Sequence, residues 1–296
     1  MRRLRRRSFV GGTGVTLGLL WSGCGGSKDA PKSDGGKAPD EASEKAGKKE
    51  DPKAAAEGDD GKAEPGDGGA ETPRVEDASR RIVVYGASGR VGSRIVDEAL
   101  ERGLHVTGVI HRTPLAVTHE NLSTVKGDIL DAKSIAQIMV GHHAVINAAG
   151  GAAKDDDPQQ SLALLGAKAL VEAARTVGDE APRIIFIGGA STLEAEPGVS
   201  FLEQMNPPPG PLAARLRGHL LALQYFRTVT DVKWTVATPP PSFAPGLRTG
   251  KFRFGEDTPV EDAQGESRIS MEDFAAAVLD ELAAAKYVGR RFTVAY

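Results

Sequence analysis

Gly86-Ala87-Ser88-Gly89-Arg90-Val91-Gly92 sets three glycines three residues apart, directly after the apolar run Arg81 to Tyr85. The first glycine permits a tight turn and the second lets backbone approach a bound group. The third lets a following helix pack closely on the strand before it. Free amides and the positive end of the helix dipole then converge on an anion. The chemistry implied is phosphate binding. Gly92 is followed by Ser93 and not by Lys, which sets a nucleoside-triphosphate loop aside. Residues 86–92 are therefore expected to hold the pyrophosphate of a dinucleotide, the plainer alternative being a glycine-rich turn with no ligand.

Three further positions bear on the same ligand. His111-Arg112 follows the second apolar run, where an acidic residue would bind the ribose hydroxyls of NAD. A cation there suits a 2′-phosphate, and Arg90 is placed to reach the same group, so NADP(H) is favoured with NAD(H) as the alternative. The bland reading of Arg112 is a solvated loop cation. In the pair Asp128-Ile129, Asp128 is placed to accept from an adenine amino group or, more simply, to cap the helix that follows. Pro239 begins a Pro-rich stretch through Pro245, containing Phe243, beyond the C-terminal end of a later strand, where such sheets build ligand walls. His142-His143 reads as surface, and His219 as helix packing unless it faces the cleft. Phe252 and Phe254 read as core before they read as a stacking platform. No His, Asp and Glu spacing resembles a metal cage.

The elements that must position these residues are legible as alternation. Strands are expected over 81–85, 105–110, 122–125, 144–148, 183–187, 232–237 and 291–295. Helices are expected over 91–102, 131–140, 161–177, 212–226 and 271–285, with an irregular Gly- and Pro-containing segment before the last one. Strands alternating with helices give an α/β, Rossmann-type, doubly wound parallel sheet in a single domain.

That domain occupies residues 80–296. Residues 25–79 consist of Gly, Ala, Lys, Asp, Glu, Pro and Ser almost throughout, with Val75 as the one branched aliphatic and no aromatic. Such a stretch buries too little apolar surface to offset its ordering entropy and is expected to be a disordered linker. As a Gly-rich coil it would span about 40 Å root-mean-square. Net charge is −3, so no face is obviously prepared for nucleic acid. One cysteine, Cys24, excludes an intramolecular disulfide and a thiolate-built zinc site. Residues 1–24 resemble an export signal: a basic start, Arg6-Arg7-Ser8-Phe9-Val10 in the twin-arginine pattern, a short apolar run, and Gly23-Cys24 like the end of a lipobox. Trp21 stands where lipoproteins usually carry Leu. The expectation is an exported protein anchored to a membrane through a lipidated Cys24, or a cytoplasmic one if the signal is not functional.

The glycine spacing, the Gly127-Asp128 pair and the strand end Ala148-Ala149-Gly150 resemble the atypical short-chain dehydrogenases. More narrowly, Gly188-Gly189-Ala190-Ser191-Thr192-Leu193-Glu194, residues 248–253 (Arg-Thr-Gly-Lys-Phe-Arg) and residues 265–270 (Gly-Glu-Ser-Arg-Ile-Ser) resemble the bacterial NADH-flavin reductase group, which is related to biliverdin/flavin reductases and to NmrA-like proteins. The resemblance implies an NAD(P)H-dependent oxidoreductase that passes hydride to a flavin-like or quinone-like flat acceptor. It also implies cofactor contacts at Ala148, Ala149, Gly150 and Gly188. Family members carry Gly-Ser where this chain has Ser191-Thr192, so Ser191 and Thr192 are the candidate catalytic hydroxyls. The Tyr-x-x-x-Lys pair of classical short-chain dehydrogenases is absent; Tyr225, for one, is followed four places on by Val229. Without that proton donor the reduction of an ordinary carbonyl is not expected. A flat acceptor protonated from water asks mainly for positioning. A non-catalytic NmrA-like dinucleotide sensor or scaffold is the alternative.

Overall fold

The computed structural model describes residues 80–151 and 155–296. The expected export signal and linker, with Cys24, lie outside the described residues. Ile82, Val83 and Val84 are fully buried, as expected of a strand covered on both faces. This strand, β1 (Arg81–Tyr85), leads through the glycine loop into α1 (Arg90–Glu101), then β2 (His105–Ile110) and β3 (Leu122–Lys126). Next come α2 (Ala132–Met139), β4 (Ala144–Asn147), α3 (Leu162–Val177) and β5 (Arg183–Ile187). A short hairpin, β6 (Glu194–Glu196) and β7 (Val199–Ser200), precedes α4 (Phe201–Met205) and α5 (Pro211–Thr228). The chain closes with β8 (Trp234–Thr238), β9 (Ser242–Ala244), β10 (Arg253–Gly255), β11 (Arg268–Ser270), α6 (Met271–Ala284) and β12 (Arg290–Ala295).

The main sheet has the order β10-β12-β8-β5-β4-β1-β2-β3. All its pairings are parallel except β10 with β12. Strand order reverses at β1, which lies between β2 and β4, so a crevice opens beyond the C-terminal ends of β1 and β4. In open α/β sheets ligands bind at such a point.

Successive strand residues face opposite layers. Val83, Tyr85, Val145, Ile184 and Phe186 pack under Ile135 and Met139 of α2, Leu170 and Val171 of α3 and Phe226 of α5. Their neighbours Ile82, Val84, Ile146 and Ile185 pack under Ile95 and Val96 of α1 and Phe274 and Val278 of α6. The sheet is thus covered on both faces, as the alternation implied. Phe254 joins the second layer, stacked on Tyr287 at 6.0 Å between ring centroids and tilted on Phe292 at 5.5 Å. Phe252 meets Phe254 at 5.7 Å, so both aromatics are core residues.

Three local expectations need correction. The segment before α6 is not wholly irregular: it contributes β10 to the sheet edge, while β9 and β11 pair with each other. The cap of α2 is Asp131, whose carboxylate accepts from the amides of Lys133 and Ser134, and not Asp128. His142 is half-buried and shares a 2.9 Å hydrogen bond between its Nε2 and Thr107 Oγ1, while His143 is exposed as expected.

Candidate nucleotide-binding site

At Gly86 the backbone takes φ +71°, and a Cβ there would lie 2.6 Å from the Ala149 amide nitrogen and 2.7 Å from the Ala148 carbonyl oxygen. The loop after β1 therefore touches the chain leaving β4, and only glycine permits both the turn and that approach. A Cβ on Gly92 would stand 2.1 Å from the Gly86 carbonyl oxygen, so α1 can begin this close to β1 only without a side chain. The Gly89 amide donates to Gly86 O at 2.8 Å, and Gly89 itself is the N-cap of α1. A cap without a side chain leaves the first-turn amides with no side-chain acceptor, facing the crevice with the positive helix end.

Around the loop, Ala87 is fully buried and Val91 packs on the α1-side core. Ser88 is half-buried, whereas Arg90 is exposed. His111 and Arg112 are exposed at the end of β2, and among the described residues neither Arg90 nor Arg112 has an ion-pair partner. Asp128 is exposed too, one carboxylate oxygen accepting from the Leu130 amide at 3.0 Å in a local turn. Ile129 is 6 % exposed and packs toward Gly166, so its side chain belongs to the core.

Asn147, which the motif-based reading passed over, shapes the β4 end. It is buried, and its Oδ1 accepts from the Ala149 amide at 3.0 Å, turning Ala148, Ala149 and Gly150 along the crevice. The available signal was a lone amide closing an otherwise apolar strand. Beyond β5, Gly188 donates to Ala237 O at 2.8 Å, and a Cβ on it would meet Thr238 Oγ1 at 2.9 Å. Pro239 is buried at the end of β8.

The two hydroxyls after β5 differ. Thr192 Oγ1 donates to Gly189 O at 2.8 Å, and the buried Arg291 guanidinium donates to Thr192 O at 2.6 Å. Thr192 is thus committed to holding the turn. Ser191 Oγ is buried and has no hydrogen-bond partner. Buried polar groups are normally paired, so of the two hydroxyls this is the uncommitted one. His219 lies on a helix as expected and lines a small recess with Ala149, Gly150 and Gly151. Burial, with a smaller push from Arg215, pulls its pKa down to about 4, so the ring is neutral at pH 7.

The glycine cradle and the bare helix N-terminus fit a dinucleotide's pyrophosphate. Among the described residues no group of His, Cys, Asp and Glu is arranged to hold a metal ion, and no helix is long and apolar enough to cross a membrane.

Comparison with known proteins agrees with this geometry. A family model described as NAD(P)H-binding matches residues 86–284. An uncharacterized protein of Bacillus subtilis, YwnB, is 30 % identical over 219 residues, covering 72 % of this chain and 97 % of that one. A solved structure from Burkholderia pseudomallei, provisionally designated an exported protein, is 36 % identical with a TM-score of 0.62 over 73 % of this chain and 99 % of that one. A provisionally named epimerase from Bacteroides thetaiotaomicron is 30 % identical with a TM-score of 0.64, covering 73 % and 97 %. A structure provisionally named an NADH-flavin reductase, from Streptococcus pneumoniae, shares the fold at 24 % identity and a TM-score of 0.61, covering 73 % and 99 %. With a Rossmann-type sheet, a glycine loop at its switch point and a matching family model, this chain belongs to the NAD(P)H-binding family.

Proposed function

We propose that the protein is an NADP(H)-dependent oxidoreductase that reduces a flat, flavin-like or quinone-like acceptor. The observation that carries this reading is the cradle at the switch point, where Gly86 and Gly92 leave no room for a Cβ and α1 presents an uncapped N-terminus. A bound nicotinamide nucleotide would supply hydride. The chain's own residues bind and orient: amides of residues 86–92 hold the pyrophosphate, Arg90 and Arg112 take a 2′-phosphate, and Asp128 approaches the adenine. Ala148, Ala149, Gly150, Gly188 and Pro239 wall the crevice, and Ser191 Oγ offers a hydrogen bond to the nicotinamide amide or the acceptor.

Tyr-x-x-x-Lys is missing and Thr192 is committed to its turn, so no strong proton donor stands at the β5 end. That supports an acceptor protonated from water, where positioning is most of the catalysis. The same observation favours a second reading, a non-catalytic dinucleotide sensor or scaffold. Steady-state oxidation of NADPH by the full chain, with flavins and quinones as acceptors and Gly92→Ala as the control, separates the two. Turnover abolished by Gly92→Ala is expected; no turnover across a broad panel, with nucleotide still bound, would leave the sensor.

We also propose that the protein is exported by the twin-arginine route and anchored through Cys24. The arginine pair and the Gly23-Cys24 junction support this, as does the similar Burkholderia protein designated as exported. Replacing Arg6 and Arg7 by Lys should leave the protein in the cytoplasm, and Cys24→Ala should release it from membranes; fractionation reads both.

A further inference from the structure

α5 lies unusually close to the start of α3. A Cβ on Gly218 would stand 2.1 Å from Ser161 Oγ, and Ser161 is the N-cap of α3. That approach carries the next residue, His219, over the end of β5, where a Cβ on Gly189 would sit 3.1 Å from the imidazole Cγ. Glycines at 189 and 218 thus make room for this ring, and Phe186 braces it edge-on at 6.4 Å between centroids. A Leu would fill such a place without polar cost, yet here Nδ1 is buried with no hydrogen-bond partner.

His219 lines a small recess with Ala149, Gly150 and Gly151, the chain leaving β4; its volume of about 10 Å³ holds about one water, so a larger ligand group meets it at the mouth. Arg215, one helical turn before His219, stands at the same recess. It is exposed, and among the described residues it makes no hydrogen bond or ion pair. Dinucleotides lie across such sheets at the switch point, which puts this recess on the β4/β5 side, away from the 2′-phosphate cations on the β2 side.

We propose that the mouth of this recess is the acceptor's anion subsite: Arg215 binds a phosphate or carboxylate carried by the flat acceptor, and His219 supplies a hydrogen-bonding ring beside it. This rests on the oxidoreductase reading and adds to it a charge requirement on the substrate. An imidazole that stays uncharged leaves Arg215 as the local cation and accepts or donates as the ligand's ionisation demands.

Fluorescence titration of the full chain, loaded with NADP+, tests this with two matched pairs of flavins. Riboflavin and FMN differ by a phosphate; lumiflavin and 10-carboxymethylisoalloxazine differ by a carboxylate. At least one anionic member should bind about tenfold more tightly than its neutral partner, the pair that responds identifying the anion. Arg215→Gln should remove that preference while leaving NADPH affinity unchanged. His219→Leu should weaken the anionic ligand while the thermal midpoint stays the same or rises, because an unpaired buried polar atom is removed; a midpoint that falls would mark His219 as structural. Equal affinities within both pairs, a preference untouched by Arg215→Gln, or loss of NADPH binding in that variant would overturn the proposal, the last by giving the recess to the cofactor. Preference without turnover would sink the oxidoreductase reading alone, and turnover without preference would sink this inference alone.

Discussion

At His219 the imidazole is held neutral by burial, with Arg215 disfavouring its charge as the lesser cause. A histidine whose folded pKa is depressed is protonated in the unfolded chain first. Its contribution is therefore fully present above the unfolded value near 6.5 and is lost as pH falls toward about 4. The difference corresponds to about 3 kcal/mol at most. His219→Leu should flatten this part of the acid limb, so that the variant's urea midpoint, equal to or above the parent's at pH 7, pulls further ahead of it at pH 4.5. An unchanged gap would mean that the ring is not held neutral. His219 also shows what a sequence conceals: nothing in Gly-His-Leu-Leu on a helix says that neighbouring glycines clear space for the ring. Gly86, Gly89 and Gly92 were legible for the opposite reason, since their spacing alone encodes the missing side chains at the loop's contacts. Ser191 and Thr192 were indistinguishable as neighbouring hydroxyls; the difference arose only when Arg291, far away in sequence, secured one of them.

At the level of elements, residues 246–250 form a strap across α1 and α6 fastened by a buried carboxylate. Asp273 is fully buried and accepts from the amides of Thr249 and Gly250 at 2.8 and 2.7 Å, from Thr249 Oγ1 at 2.6 Å and from the Tyr296 hydroxyl at 2.9 Å. Arg248 adds two hydrogen bonds to the buried Glu98, at 2.5 and 2.7 Å. Burial by itself raises the Asp273 pKa, but the hydrogen bonds outweigh it and hold the carboxyl below its ordinary range. A carboxylate with a depressed pKa stabilises the fold above its unfolded value, and that contribution is lost as pH falls through the folded value. Asp273→Asn keeps the shape and removes the charge, and one amide hydrogen is then set against a donor. It should cost about 3 kcal/mol in urea unfolding at pH 7, and the cost should shrink on acidification. A loss below about 0.5 kcal/mol, the scale of a neutral surface substitution, would show that the strap is held by packing instead. The Arg-Thr-Gly-Lys-Phe-Arg motif was visible in the sequence, but as a family mark. Its physical work, Thr249 and Gly250 closing on Asp273, depends on a partner more than 20 residues on, which no local periodicity reveals.

Across the whole domain, the crevice divides the sheet into a β1-β2-β3 side and a β4-to-β12 side, and the nucleotide contacts proposed above come from both. The alternation of strands and helices made this order legible, because each right-handed crossover leaves few places for the next strand. It could not foretell β10, which joins antiparallel at the edge and follows no helix, nor the β6–β7 hairpin, because strands of two or three residues carry too little pattern. A ligand that binds the folded sheet and not the unfolded chain must stabilise both sides together. At one hundred times its dissociation constant NADPH should add about 2.7 kcal/mol, which for a domain of this size raises the thermal midpoint by roughly 5–10 °C. If Arg90 and Arg112 take the 2′-phosphate, NADH at the same concentration should give a clearly smaller rise. Replacing both arginines by Ala should then bring the NADPH response down to that of NADH and leave the NADH response intact, because the pyrophosphate cradle is untouched. Equal shifts for the two nucleotides in the unaltered protein would remove the arginines from the site, while absence of any shift would remove the nucleotide itself.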